Sequence, residues 1–161
     1  MDTITFTPIG SIHTPFETPK GTPIQPRGGK GVRGTVVVQA DYAEGLVDLD
    51  GFSHLILIYA FHRVQSFKLT VKPFLDPQPH GLFATRAPAR PNPIGFSVVK
   101  LLKIEGTTLH IEDVDIVDGT PLLDIKPYVP AFDERSGAKV GWLQSQLDDL
   151  PDAKDDGRFL E

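Results

Sequence analysis

The sequence predicts an all-β protein, a barrel or a sandwich of about seven short strands with short peripheral helices. Three observations lead there. Runs rich in β-branched and aromatic residues recur along the chain. Turn signals built from Gly, Pro and Asp punctuate them at intervals of roughly 8–15 residues. Helical periodicity is scarce. With 161 residues the chain suits one domain with a sizeable core, and no internal repeat is present.

The elements follow in order. Residues 5–13 open with a strand pattern, and the β-branched run GTVVVQ at 34–39 is a second strand. DYAEGLVDL offers one or two helical turns with Asp41 as N-cap. SHLILIYAFHRV, at 53–64, is the strongest strand, and apolar residues on both parities predict burial on both faces. LTVKPF and GLFAT are short strands separated by the proline-rich turn DPQPHG. GFSVVKLLKIE runs long from 95 to 105, and EGT turns it into TLHIEDVDIVD. There the apolar parity changes between Leu109/Ile111 and Val114/Ile116, which predicts a bulge near Glu112–Asp113. The turn DGTP precedes a short strand LLDIK, and 141–150 reads as a C-terminal helix. The division expected is a β domain over 1–135, then a short helix and a solvated acidic tail over 136–161.

Composition narrows the function classes. The absence of cysteine excludes a disulfide framework and thiolate metal ligation. The start MDTITFTPIG has neither a basic region nor an apolar one, so no signal peptide is expected, and no apolar run is long enough to span a bilayer. A soluble cytoplasmic protein is the expectation. A net charge of −5 argues against bulk nucleic-acid binding. Yet residues 1–100 carry 10 Lys and Arg against 7 Asp and Glu, whereas residues 101–161 carry 6 against 14, so a local basic site in the first part stays open.

GKGVRG, at 29–34, matches G-x-G-x-x-G. A dinucleotide site needs a strand before it and a helix after it; here two prolines precede and TVVVQ follows, so that reading is rejected. The loop is either a plain glycine connection or a mobile basic loop presenting Arg27, Lys30 and Arg33 to phosphates. His54 and His62 lie about 26 Å apart along one extended strand, too far to share a metal, and no other spacing suggests one. ATRAPARPNPIG is too proline-rich for helix or mid-sheet. It is a stiff loop whose Arg86 and Arg90 are either solvated or turned into a cleft. DGTPLLDIKPY gathers Asp118, Thr120, Asp124, Lys126 and Tyr128 within eleven residues. The residues alone give a β protein with two proline-stiffened polar loops forming a small-molecule or nucleotide site.

Five segments together resemble the TrmO family, also called TsaA-like or YaeB/VirR-like: PIGSIHTPF, PIQPRGGKG, GFSHLILIYAFHR, GLFATRAPARPNPIGFSVVKL and VDGTPLLDIKPYVP. They stand in the family's order over roughly residues 6–132. The resemblance implies a single small β-barrel that binds S-adenosylmethionine, assembles as a homodimer with the cofactor pocket near the interface, and N6-methylates threonylcarbamoyladenosine beside the tRNA anticodon. By position, the implied cofactor contacts are Gln25, Pro26, Arg27, His62, Arg63, Arg86, Ser97, Asp118, Gly119, Thr120, Pro121 and Leu122. The implied RNA contacts are Arg27, Lys30, Arg33, Arg86, Arg90 and Lys126. Ala87 stands where the family commonly has serine, and the tail after PYVP is short where longer bacterial members carry a further domain.

Methyl transfer to a ureido nitrogen must also remove a proton, which asks for a base: Asp118 or Asp124, with His62 as a third candidate. Phe61 or Tyr128 would offer an aromatic face to the sulfonium. The competing readings are a non-catalytic barrel that binds S-adenosylmethionine or a nucleotide, and a methyltransferase acting on another RNA or small molecule.

Overall fold

A computed structural model describes residues 2–24, 26–147 and 154–159, with backbone alone for Pro26 and Arg27. Six antiparallel strands close into a barrel in the order β1-β2-β7-β6-β3-β8. They are β1 Gly10–His13, β2 Arg33–Val38, β3 His54–Ala60, β6 Ile94–Glu105, β7 Thr108–Glu112 and β8 Thr120–Pro127. The barrel therefore has six strands where the sequence suggested about seven. The remaining pair, β4 Thr70–Val71 and β5 His80–Gly81, forms a separate two-stranded ribbon. Pro73, Pro77 and Pro79 lie between its strands and cannot donate to a ladder, so this segment adds no barrel strand.

Alternation sets the core. Ile12, Val36, Leu55, Leu57, Val99, Leu109, Ile111 and Leu122 point inward and are fully buried. Burial of each such side chain stabilises the fold by about 1.5–3 kcal/mol before chain entropy is counted. Strand β3 buries Leu55, Leu57 and Tyr59, while Ile56 and Ile58 on its other face are only half-covered. The expectation of two buried faces holds for one. β6 is twelve residues long because it pairs with β3 through its first half and with β7 through its second.

The parity change after Ile111 is real, but its cause is not a bulge. β7 ends at Glu112, Asp113 takes a left-handed φ of 67°, and the chain leaves the sheet. Val114 and Ile116 then reach the core from outside the ladder. The register shifts of the barrel fall elsewhere, at Ile58/Tyr59 against β8 and at Leu101/Lys103 against β7.

The helical segments are mostly short 3-10 helices. Ala40–Leu46 is one, capped at Gln39 with no side-chain bond, so Asp41 sits in its first turn and is not the cap. Gly141–Ser145 is another, and the expected helix over 141–150 runs past the described residues at 148–150. Residues 154–159 are not a free solvated end. The amide of Asp155 donates to the Thr22 carbonyl at 2.8 Å, the amide of Gly21 donates to the Asp155 carbonyl at 2.6 Å, and Lys154 bridges to Pro23. Among the described residues no helix is long and apolar enough to cross a membrane.

Candidate functional site

A cavity of about 720 Å³ opens at one end of the barrel, within the range of roughly 300–1,000 Å³ usual for small-molecule sites. Three stretches meet there. The end of β3 and the residues after it supply Tyr59, Phe61, His62 and Arg63; the loop before β6 supplies Thr85, Arg86 and Arg90; the segment after β7 supplies Asp115 and the start of β8 supplies Thr120. The proline loop holds its shape through its own side chains. Thr85 Oγ1 donates to the Leu82 carbonyl at 2.8 Å, and Arg90 Nη1 donates to the carbonyls of Thr85 at 3.0 Å and Ala87 at 3.2 Å. Arg90 thus lines the cavity and also braces the loop that carries Arg86.

The polar centre of the cavity is a relay across three elements. Ser97 Oγ on β6 donates to Asp115 Oδ1 at 2.6 Å, and the Tyr59 hydroxyl on β3 lies 3.0 Å from Ser97 Oγ. Since the serine proton is committed to the carboxylate, the tyrosine is the donor in the second bond. Burial pushes the Asp115 carboxyl up to about 7, against the pull of the Ser97 bond and of the Arg86 charge. Burial, with the Asp115 charge behind it, pushes the Tyr59 hydroxyl far up, so it stays protonated. The Arg86 guanidinium lies over the Phe96 ring, 4.9 Å from its centre. His62 is held below its ordinary range, first by desolvation and then by Arg63, whose Nε donates to His62 Nε2 at 3.4 Å. Its ring is therefore neutral at physiological pH.

The structure sorts the residues expected from sequence. His62, Arg63, Arg86 and Thr120 line the cavity, and Ser97, 1% exposed, holds Asp115 in its wall. Gly119, with φ of 74°, makes the turn that delivers Thr120. Leu122 belongs to the barrel core, and Pro121 pairs with Ser11 across the β1–β8 seam. Gln25 lies outside the described residues, and of Pro26 and Arg27 only the backbone, a 3-10 turn, is described.

Two of the three proposed proton acceptors are placed away from the cavity wall. Asp118 Oδ1 accepts the Thr14 amide at 3.0 Å and faces His13 Nδ1 at 3.3 Å, and the Thr14 bond holds its carboxyl below the usual range. Asp124 pairs with Lys126 at 2.7 Å, on β8. Tyr128 meets His54 edge-on, whereas Phe61, the other proposed aromatic face, does line the cavity. Lys30 and Arg33 are exposed, and Arg33 reaches Glu112 at 3.5 Å.

Two carboxyl residues line the cavity, Asp115 and Asp155, and neither was expected from the sequence; Asp115 is the one at its polar centre. The signal for Asp115 was an acid set between two residues that must both be buried, Val114 and Ile116. Strand parity sends such a residue to solvent, and only the departure from the sheet at Asp113 lets it face a cavity instead.

Comparison with known proteins adds the context. The tRNA-methyltransferase O N-terminal domain matches residues 11–134. A probable S-adenosyl-L-methionine-binding protein of Pyrococcus abyssi is 56% identical over 157 residues, 98% of this chain and 85% of the relative. A tRNA (adenine(37)-N6)-methyltransferase of Escherichia coli is 35% identical over 155 residues, 90% of this chain and 66% of the relative. The crystal structure of TrmO from Pseudomonas aeruginosa superposes with a TM-score of 0.74 at 37% identity, covering 88% of this chain and 63% of that one. The chain thus spans less than two thirds of the length of that solved relative.

Proposed function

The chain belongs to the TrmO family, and from that premise we propose that it is an S-adenosylmethionine-dependent tRNA methyltransferase that N6-methylates adenosine at the position beside the anticodon, with threonylcarbamoyladenosine as the acceptor. The observation that carries the reading is Asp115, a desolvated carboxylate poised near neutrality in the wall of an adenosyl-sized cavity.

The residues present fit the cofactor. Aromatic faces at Phe61 and Phe96 suit a sulfonium and an adenine ring, while Arg86 suits a carboxylate. His62, Arg63 and Thr120 offer further polar groups in the lining. When bound, S-adenosylmethionine supplies a methyl group activated by a positively charged sulfur. The chain's own work is then to position the acceptor and to receive a proton. A ureido nitrogen is a poor nucleophile, and the proton it loses on methylation passes to Asp115 Oδ. With its pKa pushed up to about 7, Asp115 is ionised often enough to accept that proton and basic enough to hold it. Ser97 and Tyr59 steady the carboxylate by donating toward it. Asp115 replaces Asp118 and Asp124 as the proposed base, because those two are engaged elsewhere.

Lys30, Arg33 and Lys126 are exposed cations suited to anticodon-arm phosphates. The chain works as a cytoplasmic homodimer in this proposal; Phe83, Ile94 and Phe96 leave apolar surface beside the cavity that a second copy would cover. Nucleoside mass spectrometry of tRNA incubated with the protein and S-adenosylmethionine tests the activity. A gain of one methyl group on the threonylcarbamoyl nucleoside is expected. Cofactor binding without any such gain would leave a non-catalytic barrel or a different acceptor.

A further inference from the structure

We propose that residues 141–147 and 154–159, lying beyond the matched family domain, form one wall of the cofactor cavity and contact the bound S-adenosylmethionine. Five of them, Trp142, Leu143, Leu147, Asp155 and Phe159, line the same cavity as Asp115 and Arg86. All five follow residue 134, where the family match ends.

Two independent clasps hold this wall, one against the β4–β5 ribbon and the turn after it, the other against the β1–β2 loop and the residues between the ribbon's strands. At the first, the Trp142 ring stacks on the His80 imidazole with centroids 4.3 Å apart, and its Nε1 donates to the Ala84 carbonyl at 2.8 Å. At the second, Asp155 is hydrogen-bonded to Gly21 and Thr22 through the backbone, and Arg158 Nη1 donates to the Pro73 carbonyl at 3.1 Å. Phe159 meets Phe74, itself a cavity residue, edge-on at 5.1 Å. The wall therefore presents an apolar surface of Trp142, Leu143, Leu147 and Phe159 together with one carboxyl residue, Asp155. That combination suits an adenosyl group: flat apolar faces for the base, and an acceptor for ribose hydroxyls or the ammonium group.

This inference rests on the cofactor reading of the cavity and carries its own test. Trp142 is the sole tryptophan of the chain, so its fluorescence reports on this wall alone. Calorimetry and tryptophan fluorescence are run on the full chain with S-adenosylmethionine and with adenosine. The variants are Phe159→Ala, Leu143→Ala, Asp155→Asn and, as a control on the exposed surface, Phe132→Ala. Melting curves without ligand confirm that each variant is folded. In the wild type, fluorescence should change saturably, with the midpoint that calorimetry gives. Phe159→Ala and Leu143→Ala should each weaken binding about tenfold, with Phe132→Ala unchanged. Loss of affinity for both ligands in Asp155→Asn assigns that residue to the ribose; loss for S-adenosylmethionine alone assigns it to the ammonium group. Wild-type binding with silent fluorescence, or with Phe159→Ala and Leu143→Ala both at wild-type affinity, overturns the wall and leaves the cofactor reading standing. Failure of the wild type to bind S-adenosylmethionine overturns both.

Discussion

At the scale of single residues, Asp115 carries the most consequence. Its folded pKa, about 7, stands above the 3.8 of an aspartate free in water. Between these values the folded chain keeps a proton that the unfolded chain has released, so the group's contribution to stability is full in acid and is lost as pH rises through about 7. The whole effect is at most about 4 kcal/mol. Asp115→Asn should flatten that slope and raise the melting temperature at pH 8, while turnover falls by about 10²–10⁴. Thermal melts across the pH range and a single-turnover assay check the two halves separately. Ser97→Ala removes the bond that pulls the Asp115 pKa down, so the rising limb of kcat/KM against pH should move to higher pH. The same change should cost about 1–3 kcal/mol of stability by stranding the Tyr59 hydroxyl and the carboxylate. A pH–rate profile whose limb stays in place would show that Asp115 is not the group titrating.

At the scale of elements, the glycine-rich stretch has a use that its motif did not suggest. Gly29 is buried, and a side chain there would run into the Val114 carbonyl, one residue from Asp115. The loop is glycine-bearing because two backbones must touch, whatever it also does for phosphates. Gly29→Ala should destabilise the fold by about 1–3 kcal/mol and reduce cofactor affinity by displacing Asp115, read by urea denaturation and calorimetry. The strands themselves were largely legible, because β-branched and apolar runs such as GTVVVQ and SHLILIYA are a local property of the sequence. The loop arginine Arg86 and the end-of-strand His62 were legible too, since proline marks the loop and the apolar run marks the strand end. What escaped was set at long range. Whether LTVKPF and GLFAT join the barrel depends on partners far away in sequence, and they pair only with each other. Asp115 escaped because its orientation follows from the left-handed Asp113, which no periodicity announces.

At the scale of the whole molecule, the cavity belongs to the folded chain alone, since its walls come from stretches between residues 19 and 159. A ligand that fills it should therefore stabilise the entire fold: at a hundredfold excess over its dissociation constant, by about 2.7 kcal/mol. A melting-temperature rise with S-adenosylmethionine that keeps growing with concentration is the expected outcome, and a flat response would remove the cavity from consideration as the cofactor site. The closure of the sheet has a further bearing on how the protein is made. Its last seam joins Gly10–Ile12 to Thr120–Leu122, partners more than a hundred residues apart. A nascent chain on the ribosome therefore cannot seal the ring until β8 has left the exit tunnel. Until then β1 and β3 each wait with one side of their backbone unpaired.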